Sequence, residues 1–516
     1  MARLSRLIIC YVDFKIKHFA YTIFNIDLKK IKTVNFIMNN KFFKKPQAWC
    51  FSTYFTEGLP FMVVRSMSFI FFTDIGMKER YLGYLNFLGL PWNLKMLWAP
   101  FVEIFGRKRN WMICVQIVIS VLTAAVAIIC FNSAHFNNIG LSTQALVIVF
   151  VILAFVAATN DVVIDGYYME GLTDMREQAA YTGYRVFAYR LSMIMARFGF
   201  VNIAAYTAKR CTGNSGLYTA WGYAFLAAAL TMGLFTIYHI IALPDFGLKA
   251  ETKGGLDLKK VAKDFISSFA SYLEIPYSKT LQTLAGGVCA SVVMFICLCA
   301  IRHDMLQNFA YSFLLLLVAL LFRANRNVAM SLLVIIFYKI GDEILFSMGT
   351  PFLMRELHVS KLQIAWMAGL VGAFGAIAGT SIGGLWIKKM GLKKSIWPLT
   401  LLMNLNIWAY IWLAWAKPSA ATLSGLGMIT AVYCYEQIAA GMGNAVLIVF
   451  ILRTCKQEFK AAHYAIGSAF MSLFSTIFGG FSGVIVEHAG YLNLFVISFF
   501  ATLPAMVLLF FVKIKE

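Results

Sequence analysis

Asp161 and Asp165 stand four residues apart inside an apolar run, Ala145 to Met169, that is long enough to cross a bilayer. That spacing places both carboxyls on one helix face. A charge at membrane depth costs on the order of 3 kcal/mol on insertion scales. Two acids held together in a low dielectric suit the uptake and release of a proton. The plainer alternative is a structural pair neutralised by Arg185 or Arg190 on the next apolar run, and the two readings are compatible.

Other charges share this setting. Lys339, Asp342 and Glu343 lie near the middle of one apolar run, at spacings that let both acids reach the lysine. They form either a neutral internal pair or a switchable ion pair lining a cavity. Glu436 is central in its run, has no cation nearby in sequence and is followed by Gly441 and Gly443. It is the first candidate for a proton site, ahead of Asp161, Asp165, Asp342 and Glu343. Arg65 and Lys95 suit an anionic substrate group, or else pair with Glu57 or Glu343. So many charges would forbid insertion if they faced lipid, so they face one another or a water-filled path. Such a pattern implies movement of something polar across the membrane.

The elements that must position these residues follow from composition. The chain has 516 residues, 60% of them hydrophobic and 13% charged, with a mean hydropathy of +0.74. This excludes an ordinary soluble domain. Fourteen apolar runs of spanning length fall between about residues 48 and 512, so the expected class is an all-α polytopic membrane protein. The net charge of +21 resides in short loops such as 106–110, 323–326, 388–394 and 453–460. That is the positive-inside pattern, and it argues for a lipid bilayer and against a nucleic-acid partner. Ten scattered cysteines show no metal or disulfide spacing. No nucleophile motif or cofactor signature appears, so neither an enzyme nor a bound cofactor or metal is expected.

The chain repeats itself weakly. Gly106 and Gly391, Ala179 and Ala461, and Tyr54 and Tyr338 mark similar local sequences about 284 positions apart. The repeat divides the chain into an N-terminal cytoplasmic arm at 1–47, a six-helix bundle at 48–243 and a cytoplasmic amphipathic linker at 244–279. An inserted helix pair follows at 280–326, then a second six-helix bundle at 327–516. Two such bundles place a substrate site at their interface. Residues 1–37 hold no span of their own, and Met38 opens a plausible alternative start.

Glu103 followed by Gly106, Arg107 and Arg109 resembles the cytoplasmic loop motif of the major facilitator superfamily, a charge relay that gates the inner side. In the second half Lys388 stands in the acidic place of that motif. Longer stretches are sharper: Phe55 to Pro60, Pro91 to Lys95 with Trp98 to Pro100, Asn160 to Asp165, Gly183 to Arg185, Tyr338 to Asp342, Tyr435 with Glu436, and Ala461 to Ala465. Over about 48–512 these resemble the AmpG-like muropeptide permeases and their relatives, the acetyl-CoA transporters. The family's usual glutamine is Asn160 here, and its Asp-Ala-Trp becomes Asp165, Gly166 and Tyr167.

The resemblance implies a major facilitator fold in a bacterial inner membrane. It further implies proton-driven import of anhydro-sugar peptides for peptidoglycan recycling. On that reading Arg65, Lys95, Arg190 and Lys339 meet the substrate's acidic groups, and Tyr54, Trp92 and Tyr338 stack on its sugar faces. A carrier of another organic anion such as acyl-CoA, and a sensor that uses the fold without flux, are the alternatives. Uptake into vesicles separates a sensor from a carrier. A chain begun at Met38 is expected to insert and transport normally; loss of expression or uptake on that truncation would show that the arm matters.

Overall fold

The computed structural model describes residues 45–104, 107–135, 139–210, 213–246, 258–302, 304–456, 460–512 and 514. The arm before residue 45, the start at Met38 and residues 247–257 of the linker therefore lie outside the described residues. Every regular element among those described is a helix. Helix α1 is Pro46–Asp74, α2 is a broken run over 79–104, α3 is Lys108–His135, α4 is Ile139–Gly171, α5 covers 175–208 and α6 is Gly213–Ala242. Linker helix α7 is Leu258–Leu273, and the inserted pair is α8, Tyr277–Ile301, with α9, Met305–Arg323. The C-terminal set is α10, Arg326–Arg355, α11, Lys361–Met390, α12, Leu392–Ala416, and α13, Leu423–Thr454. A final helical run is divided at Gly490 into α14, 460–489, and α15, 491–509.

Eleven of these helical runs are long and apolar enough to cross a membrane. Adding α10 and α2, and dividing the last run at its bend, is consistent with the expected fourteen spans. The turns between spans carry the local chemistry that ends one helix and starts the next. Gly391 and Gly490 adopt φ of 78° and 77°, a conformation that costs glycine nothing. Asp174, Asp304, Asn325, Ser360 and Thr422 each accept a backbone N–H at the start of α5, α9, α10, α11 and α13. Ser360 and Gln363 close a reciprocal box.

Helix α7 leads the chain from the first six helices to the inserted pair. Its last carbonyl, Leu273, accepts the backbone N–H of Asn325 at 2.9 Å, which ties it to the start of α10. Helices α8 and α9 pack on each other, α9 also touches α10 and the α14–α15 run, and almost none of α8 is buried.

Two features break helix regularity where the sets meet. Wide π turns interrupt α1 at Val63–Met67, α5 at Met195–Phe200 and α11 at Met367–Val371. Insertions of this kind recur at functional positions, and two of the three carry an arginine, Arg65 and Arg197. The second feature is a glycine crossing. A Cβ on Gly83 of α2 would come within 2.6 Å of the Gly480 carbonyl oxygen and 2.7 Å of the Gly483 nitrogen on α14. The backbones meet because neither helix has a side chain there. Gly83→Leu is expected to separate α2 from α14, lowering the thermal midpoint by several degrees and abolishing transport. A variant with unchanged melting and uptake would show that the crossing does not hold the two sets together.

Candidate functional site

The acids on α4 meet cations from both neighbouring spans. Lys95 of α2 makes an ion pair with Asp161. Arg185 of α5 pairs with Asp165 at 3.0 Å, and the Tyr54 hydroxyl of α1 donates to the same carboxylate oxygen at 2.9 Å. The Arg185 guanidinium also lies 4.2 Å above the Tyr54 ring and 4.4 Å from that of Tyr168, a cation–π sandwich. Glu57 of α1 rests against Asp161, and its Oε2 is buried with no hydrogen-bond partner. Three carboxyls and two cations thus share one pocket, and two of the carboxyls are in contact.

A buried amide and hydroxyl network backs this pocket. Asn160 donates to the Thr56 carbonyl at 3.0 Å, and Gln116 donates to the Thr56 hydroxyl at 3.1 Å. The His239 ring lies 2.6 Å from Gln116 Oε1 and 3.0 Å from the Ser52 hydroxyl. An imidazole that donates from Nδ1 and accepts at Nε2 satisfies both contacts. The network fixes α1, α3, α4 and α6 relative to one another.

The C-terminal set has its own cluster. Glu436 is 3% exposed; it accepts from the Tyr410 hydroxyl at 2.8 Å and from the Gln437 amide at 3.2 Å. Lys339 makes an ion pair with Asp342 and lies within electrostatic reach of Glu343 and Glu436. Arg65 connects the sets. Its Nη2 is 3.9 Å from Glu343 Oε1, and its Nη1 donates to the Asn86 carbonyl at 2.9 Å. The guanidinium packs on Gly89, where a Cβ would approach to 3.1 Å.

Among the sequence-derived substrate candidates, Arg65, Lys95 and Lys339 therefore carry carboxylate partners. Tyr54 is committed to Asp165. Tyr338 is 2% exposed, and its hydroxyl accepts from Thr400 at 3.3 Å. Trp92 packs edge-on against Phe61 with ring centroids 5.0 Å apart. Arg190 differs: its described polar contact is Met193 Sδ at 3.8 Å. Arg197, seven residues on, donates to the Ser66 hydroxyl at 2.9 Å and lies within electrostatic reach of Tyr433 on α13. Sequence reasoning gave Arg197 no role. Its seven-residue spacing from Arg190 was the signal available.

The two ends of the molecule differ. At the end opposite the basic loops, Lys361 pairs with Asp74 at 2.8 Å, and the Trp221 indole donates to the same oxygen at 2.7 Å. Arg355 donates to Glu79 at 2.5 Å and to the carbonyls of Thr73 and Met77. Arg80 pairs with Glu487 at 2.8 Å. These contacts stitch α1 and α2 to α10, α11 and α14 and seal the outer end. Nothing in the sequence separated these loop-end charges from ordinary surface ones.

At the basic end Arg107 pairs with Asp245 at 2.5 Å, and Arg109 donates to the Leu243 and Ile240 carbonyls. Both arginines thereby hold the C-terminal end of α6. Gly106 and the Glu103 side chain of the expected gate lie outside the described residues. The side chains of Lys95, Arg185 and Asp165 are 32–38% exposed, as are those of Arg80 and Glu487 at the other end, at 34% each.

Residues 50–263 match the family model described as Acetyl-coenzyme A transporter 1, and residues 315–516 match that of the Major Facilitator Superfamily. A Rickettsia felis protein described as putative transporter AmpG 4 is 24% identical, over 89% of this chain and 94% of its own. The anhydromuropeptide permease of Escherichia coli K12 is 23% identical, over 88% of this chain and 77% of its own. A crystal structure of a POT family transporter in complex with a thioalcohol-conjugated peptide aligns with a TM-score of 0.63 at 11% identity, covering 93% of this chain and 99% of that one.

Arg355→Gln is expected to loosen the outer seal about tenfold, the effect of losing one charge-assisted contact set. An impermeant thiol reagent added from outside should then label a cysteine at Asn86 faster. Unchanged labelling would mean that the seal does not depend on Arg355.

Proposed function

We propose that this chain, which has the major facilitator fold and resembles the AmpG-like permeases over most of its length, imports anhydro-sugar peptides across a bacterial inner membrane. It is a multi-pass membrane transporter and not an enzyme. Arg190 and Arg197 carry the proposal for the substrate. They are guanidinium groups at membrane depth with no carboxylate partner among the described residues. A mid-membrane cation is expensive unless something anionic joins it. A wall fragment bearing peptide carboxylates supplies that anion, and the planar guanidinium binds it through paired N–H donors.

The driving ion is the proton, taken up where carboxyls meet. Two carboxyls in contact hold together only with a proton between them, as Glu57 and Asp161 are placed to do. Asp165 sits one turn away. Glu436, held by Tyr410 and Gln437, is the second site, with Asp342 and Glu343 beside Lys339. We assign the two rocking bodies to 48–243 and 327–516, with the pair at 280–326 carried outside them. The proton and the substrate leave toward the basic side.

A second reading is favoured by one observation, the likeness of residues 50–263 to the acetyl-coenzyme A transporter model. The same two arginines would then meet the phosphates of an acyl-CoA.

In liposomes with an acid exterior, Arg190→Gln and Arg197→Gln are each expected to raise the KM for labelled anhydromuropeptide at least tenfold, since a charged hydrogen bond contributes about 1.5–3 kcal/mol. Uptake unaffected by either change would sink the assignment, and competition by CoA but not by muropeptide would favour the second reading. Glu57→Gln, Asp161→Asn, Asp165→Asn and Glu436→Gln test coupling. At least one should lose gradient-driven accumulation while keeping exchange. If all four accumulated substrate like the parent, these charges would be structural, and coupling would have to reside at Asp342 or Glu343.

A further inference from the structure

On the basic face, away from the central cavity, two hollows meet at one residue. The first is an apolar slot of about 560 Å³ between α9, α10 and α14, lined by Leu314, Val318, Phe337, Phe474 and Phe478, with Arg326 as its one charged lining residue. The second is a polar hollow of about 570 Å³, lined by Arg326, Arg453, Lys456, His463, Ser331 and Glu274. Arg326 lines both. The slot lies beside the membrane-facing inserted pair, and the polar hollow lies at the level of the loops.

The charge balance of the hollow is positive. Lys456 pairs with Glu274 at 3.1 Å and donates to the Ser271 carbonyl at 3.3 Å. Arg326 and Arg453 are exposed and have no carboxylate partner among the described residues. His463 Nδ1 accepts the Lys456 backbone N–H at 3.2 Å. Among the described residues that line the hollow, one acid thus stands against three cations. An apolar slot that ends in a cationic cradle at the inner water boundary has the shape and charge of an amphiphile with an anionic head.

We propose that an anionic phospholipid of the inner leaflet occupies this site. One acyl chain lies in the slot between the inserted pair and α10, and the phosphate rests on Arg326 and Arg453 with Lys456 at the rim. Such a lipid touches α7, α9, α10, α13 and α14 at once. It therefore fastens the inserted pair and the end of the linker helix to the C-terminal bundle. This ligand is independent of the transported substrate.

The full chain, purified in detergent, tests this by native mass spectrometry and thermal melting with added phosphatidylglycerol, phosphatidylcholine or inorganic phosphate. Phosphatidylglycerol should be retained and should raise the melting point by several degrees; the other two should do neither. Each of Arg326→Gln and Arg453→Gln should weaken retention about fivefold, in line with the usual contribution of one cation near an anionic headgroup. Ala329→Phe, which narrows the slot, should also reduce it, and Lys393→Gln at a separate inner loop should not. Equal retention of phosphatidylcholine would overturn the proposal. So would full retention by the Arg326→Gln, Arg453→Gln double variant, or stabilisation by phosphate alone.

Discussion

A charge inside a bilayer must find its counter-charge within the protein, because no water is there to solvate it. That requirement organises this molecule. Asp161 is answered by Lys95, Asp165 by Arg185, Asp342 by Lys339 and Glu343 by Arg65. Each pair but one joins two different helices, so the pairs also fix which spans are neighbours. The exception, Lys339 with Asp342, lies on one helix and leaves its neighbours free of that constraint. Once the pairs are drawn, Arg190 and Arg197 have no carboxylate partner among the described residues. A charge that the fold does not satisfy is where a cargo can contribute binding energy.

The same requirement extends to the charges at the ends of the spans. The outer contacts, Lys361 to Asp74 and Arg355 to Glu79, are loop-end pairs at the water boundary. Their side chains are 14–28% exposed, so parting them leaves partly buried charges to be rehydrated. The same holds for Lys95 and Asp161, at 34% and 12%. Arg65 with Glu343 joins the first set to the second, so any movement of one set against the other has to part that pair as well.

The helical class and the approximate span positions were legible because bilayer thickness acts directly on sequence. The local pairing of Lys339 with Asp342 was legible too, since helix geometry alone brings positions three apart together. Partners across helices were not. Both Arg185 and Arg190 stood as candidates for the acids on α4, and only the rotation of α5 about its axis decides for Arg185. Tyr410, which answers Glu436, is 26 positions away and on another span. No local pattern encodes that contact. Tyr338 matched Tyr54 in the repeat, yet the two hydroxyls do different work, one bonded to Thr400 and the other to Asp165. A weak repeat preserves helix placement long after side-chain roles have diverged.

The wide turns in α1 and α5 have a consequence for how these helices read as lattices. A π turn holds one residue more than an α turn, so everything beyond it is rotated by about 100° relative to an uninterrupted helix. The azimuth of Arg65 and of Arg197 is therefore set by an insertion rather than by heptad phase. Excising one residue from either turn would leave a continuous helix of nearly unchanged length. It would also re-aim every side chain on one side of the cut, separating Tyr54 and Glu57 from the rest of α1's inward face. Indels in these spans act as angular dials, and single-residue length polymorphism there alters what the cavity presents without altering its walls.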